Sequence, residues 1–465
     1  MPKQKTTKKD KVFVLGIDGL PPQLIFEKYK KSLPTFAKLM QRGAWARLTT
    51  TVPPSSIVAW TSMVSGKDPG QTGIHSYTQK PGPSTTLRLT DSTDVKVPLL
   101  WDILTQHEKK TITLNVPLAY PVRPIDGVMV TDFLTPSFNE KSVYPPAMHD
   151  TIKKLLGGKD YLFDVSGFTG YKKLDLDNLI AKTYEMTDMH FKVANHLLAK
   201  EEWDLFFMVV IGGDRLHHMF WKHIDPAHKN FVPDSKYKDV ILDFYRYLDA
   251  HLAKMLARIG DDASVLIVSD HGMDRMDNRF NLNDWLIEEG YLTIKENSWD
   301  AYSTGPKKLS HDDVDWEKTV AIASGGYQGR IYLFTQRSKA ALVTALIKKL
   351  SAICGPNGEK LKNKVFDTTK LYAQKDPNAP DIIAYFDNLV YGVNNDVGNN
   401  GLYSMATSVG IDDAGHSPEG SFIMTSPLLK KKGDLKTVDI LQVAPTILKL
   451  LGLKEHTGMR RKPLI

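Results

Sequence analysis

The most regular feature of the chain is a set of short, almost uninterrupted apolar runs. The three clearest span Lys11–Asp18, Leu205–Asp214 and Ser264–Asp270. Runs of this length, rich in Val, Ile, Leu and Phe, are typical of strands that are buried on both faces. Helical periodicity alternates with them, as in Pro34–Gly43 and Lys238–Gly260. The pattern predicts an α/β fold with a mainly parallel central sheet and helices on both faces.

The rhythm changes between residues 291 and 410, where polar stretches separate the apolar ones. The segment "GRIYLF" indicates a strand there, and "SKAALVTALIKKLSAI" indicates a helix. We expect an insertion or cap region over residues 291–410, with the catalytic core formed by residues 12–290 and 411–465. Thr437–Gly452 is predicted to be a closing helix.

The chain of 465 residues has a net charge of +7, and much of that charge lies at its start. Residues 1–11 contain five lysines and one acid, which predicts a disordered basic tail. An anchor for nucleic acid or another anionic surface is the alternative. No signal peptide and no membrane span are expected. The single cysteine, Cys354, fits a reducing compartment, so a cytoplasmic location is predicted.

Each of the three apolar runs ends in an aspartate. Asp18, Asp214 and Asp270 would all reach the carboxyl edge of a parallel sheet, where ligands bind in such folds. Three carboxylates at one edge repel one another unless a cation lies between them. For one aspartate alone, a role as helix cap or turn residue would be the simpler interpretation.

Histidines accompany these aspartates. His218 follows Asp214 by four residues, so on a helix both lie on one face. His271 follows Asp270 directly, and His416 lies in a glycine-rich segment. Imidazole with carboxylate is a ligand set for zinc, manganese or iron. By contrast, His217 and His75 are interpreted as surface or hydrogen-bonded histidines without a ligand role.

The ordered set of motifs resembles the alkaline phosphatase superfamily, in its type I phosphodiesterase/nucleotide pyrophosphatase branch, which includes hydrolase or phosphomutase-like members. The matching stretches are "VFVLGIDGL", "TVPPSSIVAWTSMVSGKDPGQTGIHSY", "LNVPLAYPVRPIDGVMVTDFLTPS", "GGDRLHHMFW", "VSDHGM", "GHSPEG" and "VAPTILKLLGL". They extend from residue 12 to about residue 453, which is nearly the whole chain.

The resemblance implies an alkaline phosphatase-like fold and two metal sites. One site would be formed by Asp214, His218 and His416, and the other by Asp18, Asp270 and His271. The two imidazoles of the first site favour Zn²⁺, whereas the second would also accept Mn²⁺ or Mg²⁺.

The resemblance also implies a serine or threonine nucleophile ten residues before the glycine that closes the next helix. Counting back from Gly66 gives Ser56. A helix N-terminus favours a phosphate, which supports this assignment. Ser55 is the second candidate and is better interpreted as the helix cap.

Two positions depart from the patterns of related proteins. Val58 stands where family members often have proline. Tyr77 stands where nucleotide pyrophosphatases have a phosphate-binding asparagine, and its hydroxyl could donate to a phosphoryl oxygen. The sulfatase pattern is absent after Ser56. Arg330 could reach a substrate phosphate, although a surface ion pair is the simpler interpretation.

We therefore predict a phosphodiesterase or nucleotide pyrophosphatase that uses two divalent ions and a covalent phosphoserine to hydrolyse small phosphoesters. A phosphomonoesterase or phosphomutase of the same superfamily is the first alternative. A non-catalytic metal-binding scaffold is the second. A nucleic-acid phosphodiesterase guided by the lysine tail is the third.

Overall fold

A computed structural model gives the fold and describes residues 10–78, 80–82, 88–165, 175–335, 338–405 and 412–465. The strands of the described ranges are β1 Val12–Ile17, β2 Ala44–Thr49, β3 Thr111–Leu114, β4 Gly127–Val130, β5 Val143–Tyr144, β6 Leu205–Val210, β7 Ser264–Val268, β8 Gly272–Arg275, β9 Asn278–Asn281, β10 Lys307–Lys308, β11 Ala321–Gly325, β12 Gly329–Leu333, β13 Lys364–Asp367, β14 Ile382–Tyr385, β15 Tyr391–Asn394, β16 Asp396–Val397, β17 Tyr403–Ser404, β18 Ala414–Ser417, β19 Glu419–Thr425 and β20 Gly433–Asp439.

The α-helices of the same ranges differ widely in length, from single turns to seven turns. They are α1 Pro34–Arg42, α2 Ser56–Ser65, α3 Pro69–Thr72, α4 Leu100–Gln106, α5 Ala147–Leu155, α6 Leu176–Lys200, α7 Gly212–Phe220, α8 Val240–Ile259, α9 Leu282–Glu288, α10 Asp300–Ser303, α11 Lys339–Ser351, α12 Thr368–Leu371 and α13 Val443–Leu450. Within the described part of the chain, none of the helices combines the length and apolarity that crossing a bilayer requires.

The centre of the molecule is a nine-stranded sheet in the order β20-β2-β19-β7-β1-β6-β3-β4-β5. The strands predicted from the three apolar runs, β1, β6 and β7, lie side by side and run parallel. Strand β19 is antiparallel to both of its neighbours, and β5 is antiparallel at one edge. The predicted mainly parallel sheet is confirmed.

Side chains on successive residues of β1 point to opposite faces and enter two different cores. Phe13, Leu15 and Ile17 pack with α1, α6, α7 and α8 on one face. Val12 and Val14 pack with α2, α4 and α13 on the other. Both faces are therefore covered by helices, which explains why these strands are continuously apolar.

A second, smaller sheet has the order β11-β12-β14-β13 and is antiparallel throughout. Its core is separate and includes Ile331, Leu346 and Ile382. Phe280 and Leu286 also belong to this core, so the packing of the smaller unit begins before residue 291. The division of the chain at residues 290 and 411 stays a prediction.

Some local predictions need correction. Thr437 and Val438 lie in β20, not in a helix, and the closing helix α13 begins only at Val443. The strand predicted to reach Asp214 ends at Val210, and Asp214 lies in the first turn of α7. Of the predicted basic tail, residues 1–9 lie outside the described residues.

Candidate active site

The topology brings the three aspartates together. Strand β1 lies between β6 and β7 with all three parallel, so their carboxyl ends meet at one edge of the sheet. Asp18 comes directly after β1, and Asp270 comes two residues after β7. Asp214 is carried by α7, which begins just after β6. All three side chains are buried.

A tight turn after Asp18 makes this approach feasible. Gly19 has a φ of +64°, and its N–H donates to Asp270 Oδ1 at 3.1 Å. A side chain at this position would need the left-handed region that other residues rarely adopt, and its Cβ would lie 3.3 Å from Asp214 Oδ1. The glycine therefore lets the three carboxylates share one small space.

Helix α2 supplies the hydroxyl. Ser56 is its first residue, and Ser55 is at the N-cap position but makes no side-chain capping hydrogen bond. Ser56 Oγ lies 3.3 Å from His271 Nε2 and 3.5 Å from Asp18 Oδ1. One helical turn later, Trp60 Nε1 donates to Asp18 Oδ2 at 2.9 Å. The helix thus holds both the hydroxyl and the aspartate in place.

Each of the three predicted histidine ligands has its Nδ1 placed to donate to a fixed oxygen. The acceptors are Gly272 O for His271 (3.0 Å), Asp412 Oδ1 (2.9 Å) and Ala414 O (3.0 Å) for His218, and Pro54 O for His416 (2.7 Å). Such partners fix the tautomer and leave Nε2 with a lone pair.

These Nε2 atoms point at the aspartates. His218 Nε2 lies 3.3 Å from Asp214 Oδ1, and His416 Nε2 lies 3.7 Å from the same oxygen. His271 Nε2 lies 3.0 Å from Asp270 Oδ2. Yet the buried oxygens Asp214 Oδ1 and Asp270 Oδ2 have no hydrogen-bond donor among the described residues. A lone pair that faces a carboxylate oxygen needs a proton or a metal ion between them.

The pKa shifts of the cluster reflect the same excess of negative charge. Burial, together with Asp270 and Asp214, raises the pKa of Asp18 well above its ordinary value. Burial opposes protonation of His271, but Asp270 and Asp18 raise its pKa to about 9. The carboxylates therefore cannot all remain ionised unless positive charge enters the cluster.

The residues fit two divalent ions. Two trios each place their ligand atoms within 4.8 Å of one another: Asp214, His218 and His416, and Asp18, Asp270 and His271. Their composition matches the two sets predicted from the sequence. The unpartnered oxygens and the fixed tautomers are what nitrogen and oxygen ligation requires.

A cavity of about 400 Å³ opens beside these trios. Ser56, Tyr77 and Arg330 line it, so the predicted nucleophile and both predicted substrate-binding residues share one space. Tyr77 is within hydrogen-bonding reach of Ser56, and burial raises the pKa of its hydroxyl. Arg330 is only 8% exposed, so it is not the surface residue of the simpler interpretation.

Several residues around the cavity escaped the sequence reasoning. Arg215 Nη1 donates to Asp214 Oδ2 at 2.8 Å, and Arg215 Nη2 donates to Asp164 Oδ2 at 2.7 Å. Tyr327 Oη donates to Asp412 Oδ2 at 3.1 Å. Arg215 directly follows the predicted ligand Asp214, and Asp412 lies four residues before the predicted ligand His416, which was a usable signal. Asp164 is distant along the chain from these ligands, and no sequence signal pointed to it.

The two histidines set aside from the ligand sets lie elsewhere. His217 is buried and accepts a hydrogen bond from Tyr245 Oη at 3.0 Å, and burial lowers its pKa to about 3. His75 Nε2 lies 3.7 Å from Asp376 Oδ1. His217 is therefore a hydrogen-bonded histidine of the core and not a surface residue.

The profile of the type I phosphodiesterase / nucleotide pyrophosphatase family matches residues 12–410. No curated protein sequence matches the chain significantly.

Solved structures share the fold at low sequence identity. Human ectonucleotide pyrophosphatase / phosphodiesterase 5 has 13% identity and a TM-score of 0.56 over 96% of both chains. An inactive variant of the murine protein in complex with AMP has 15% identity and a TM-score of 0.57 over 96% of both chains. Phosphonoacetate hydrolase from Sinorhizobium meliloti 1021, in complex with phosphonoformate, has 14% identity and a TM-score of 0.61, covering 96% of this chain and 95% of that one.

Proposed function

The chain belongs to the type I phosphodiesterase / nucleotide pyrophosphatase family of phosphoester hydrolases, and we propose that it uses two divalent ions and a covalent phosphoserine on Ser56. Its substrates in this proposal are small phosphodiesters or pyrophosphates. The observation that carries the proposal is the pair of aspartate–histidine trios beside a buried serine hydroxyl. Two of their carboxylate oxygens have no donor within the part of the chain that the structure describes.

In this proposal Asp214, His218 and His416 hold one ion, and Asp18, Asp270 and His271 hold the other. The trio with two imidazoles favours Zn²⁺, and the trio with two carboxylates also accepts Mn²⁺ or Mg²⁺. Ions bound there would neutralise charge on the transferred phosphoryl group and lower the pKa of the Ser56 hydroxyl.

The protein's own contribution is positioning. Ser56 stands at the start of α2, where free backbone N–H groups and the helix dipole favour a phosphoryl group. Its Oγ would form a bond to phosphorus while the alcohol or phosphate leaving group departs from the opposite side. Water would then hydrolyse the phosphoserine and restore the hydroxyl. Tyr77, within reach of Ser56, is placed to donate to a phosphoryl oxygen.

The size of the cavity supports a small-molecule substrate, because about 400 Å³ lies within the usual range for such sites. A phosphomonoesterase would use the same groups, and so would a phosphomutase, which returns the phosphoryl group to a second position of the substrate. Rates on paired substrates separate these activities.

The test measures hydrolysis of bis-p-nitrophenyl phosphate and p-nitrophenyl phosphate. Metal-stripped protein is supplied in turn with Zn²⁺, Mn²⁺ or Mg²⁺. We expect metal-dependent turnover with a preference for the diester. A preference for the monoester would replace the phosphodiesterase assignment with a phosphatase or phosphomutase. Undiminished turnover in the stripped protein would contradict metal dependence, and no turnover despite two bound ions would favour the scaffold.

A further inference from the structure

Three arginines are buried in the described part of the chain, and one of them lacks a carboxylate. Arg215 Nη2 lies 2.7 Å from Asp164 Oδ2, and Arg279 Nη2 lies 3.6 Å from Asp412 Oδ2. Arg330 is equally buried at 8% exposure, but no described carboxylate forms an ion pair with it. An unpaired buried charge is costly, so its presence calls for an explanation.

The surroundings of Arg330 do not compensate its charge. Its Nη2 donates to Ser324 Oγ at 3.3 Å, and no described group accepts a hydrogen bond from its buried Nε. After burial, the largest effects on the pKa of Arg330 come from the hydroxyls of Tyr332, Tyr77 and Tyr372. Burial accordingly lowers the pKa of Arg330. A guanidinium remains charged in proteins, so the site retains an unmatched positive charge.

The fold directs this charge at the cavity. Arg330 lies on β12 opposite Ser324 of β11, next to the hairpin turn "GGYQG". Arg330 and Gln328 both line the cavity that contains Ser56. Gln328 is 3% exposed, and its side-chain amide carries two N–H donors. A guanidinium and a primary amide together present the donors that bind a carboxylate or phosphate.

Arg330 stands apart from the reacting centre. Arg215 Nη1 lies 2.8 Å from Asp214 Oδ2, whereas the Arg330 guanidinium forms no ion pair with any described carboxylate. Tyr77 lines the same cavity as Arg330 and is within reach of Ser56. A phosphoryl group at Ser56 would therefore leave Arg330 for a different part of the substrate.

We propose that Arg330 and Gln328 form a second anion subsite, which binds a carboxylate or phosphate carried by the part of the substrate away from the reacting phosphorus. The substrate class is thus a phosphoester with a second, separate anionic group. This inference rests on the proposed function, and it makes Arg330 a residue that determines specificity.

The turnover experiment uses three matched diesters that release the same p-nitrophenolate. The second ester group is 4-carboxyphenyl, 4-phosphonooxyphenyl or the neutral 4-carbamoylphenyl. We expect kcat/KM for one of the charged diesters to exceed that of the neutral one by roughly 10- to 100-fold, the range for hydrogen bonds to charged groups. The better of the two charged diesters identifies the anion.

Arg330→Met should bring the charged-to-neutral ratio close to one, and Arg330→Lys should retain part of it. The matched control is Arg47→Met, because Arg47 pairs with Glu27 and Glu419 outside this cavity. That variant should keep the wild-type ratio. An unchanged ratio in Arg330→Met, or equal rates on all three diesters, would overturn the second subsite while leaving the phosphodiesterase intact.

Binding separates this inference from the proposed function. Calorimetry compares 4-carboxybenzyl, 4-phosphonooxybenzyl and 4-carbamoylbenzyl phosphonate, none of which needs turnover of its phosphonate group. The wild-type protein should bind one charged compound more tightly than the neutral one, and Arg330→Met should not. This holds even if no diester is hydrolysed. Equal affinities for all three compounds in the wild-type protein would refute the subsite.

Thermal stability distinguishes an arginine that binds ligand from one that stabilises the fold. Without ligand, Arg330→Met removes an uncompensated buried charge, so its Tm should rise above that of the wild-type protein. A large fall in Tm would assign Arg330 to the packing of the small sheet instead of to ligand binding.

Discussion

The two walls of the cavity lack opposite charges. The first lacks positive charge, and the second lacks negative charge. The carboxylate wall is formed by Asp214, His218 and His416, and the trio of Asp18, Asp270 and His271 lies next to it at the carboxyl edge of the large sheet. The arginine wall consists of Gln328 and Arg330, which the small sheet provides. Among the described residues, the first has acceptor atoms without donors, and the second has a positive charge without a counter-ion.

The difference between the two walls indicates which ligands would complete the site. If the two walls were in contact, their charges would pair directly, as Arg215 pairs with Asp214 and Asp164. They instead line one cavity without pairing. In the proposed function, cations would satisfy the charge of the first wall and an anionic substrate would satisfy that of the second. Protein interiors do not normally retain such deficits unless a ligand relieves them.

The strongest test of the carboxylate wall is Ser56→Ala. Loss of the nucleophile should lower kcat by about 10³-fold or more, because the remaining groups only position the substrate. Bound metal, measured by mass spectrometry, should stay at the wild-type level. Ser55→Ala serves as the comparison and should retain most of the turnover. The reverse result for the two serines would transfer the nucleophile to Ser55.

Metal content distinguishes the two trios. Asp214→Asn should lose the ion held with His218 and His416, and Asp270→Asn should lose the ion held with Asp18 and His271. Each variant should therefore bind one ion instead of two, with turnover reduced by roughly the 10²- to 10³-fold typical when a group that stabilises transition-state charge is lost. Two ions at full affinity in both variants would show that the trios are not the ligands.

A smaller effect is expected for Asp412, which forms a hydrogen bond with a predicted metal ligand. Asp412 Oδ1 accepts from His218 Nδ1 at 2.9 Å and so orients the ring. Asp412→Asn should weaken binding of one metal ion by about 10- to 100-fold. Asp413→Asn is the matched control, since its side chain pairs with Lys222 at 3.2 Å. Equal affinities in the two variants would mean that Asp412 does not position His218.

The smallest effect is expected for Tyr77, which lines the same cavity. Tyr77→Phe removes one hydroxyl that is within reach of Ser56. One hydrogen bond is worth about 1 kcal/mol, so kcat/KM should fall roughly 3- to 10-fold. Comparison of kcat with KM then shows whether the hydroxyl acts in the transition state. A wild-type kcat/KM would leave Tyr77 as a wall residue only.

The sequence by itself predicted the large sheet and the two trios of aspartate and histidine that the structure brings together. Continuous apolar runs identified β1, β6 and β7, because strands buried on both faces have no polar alternation. The spacing of Asp214 and His218 placed both on one face of α7, where the structure has them. These features are local in the chain, and local spacing is what a sequence states directly.

The tertiary structure alone decided what surrounds those residues. Asp164 reaches Arg215 from a segment with no motif. Arg330 matched the pattern of a surface residue, but the small sheet buries it against the cavity. Even the end of the strand before Asp214 depended on where α7 begins. Burial and charge pairing arise from contacts between distant parts of the chain, and these follow from packing, not from the order of residues.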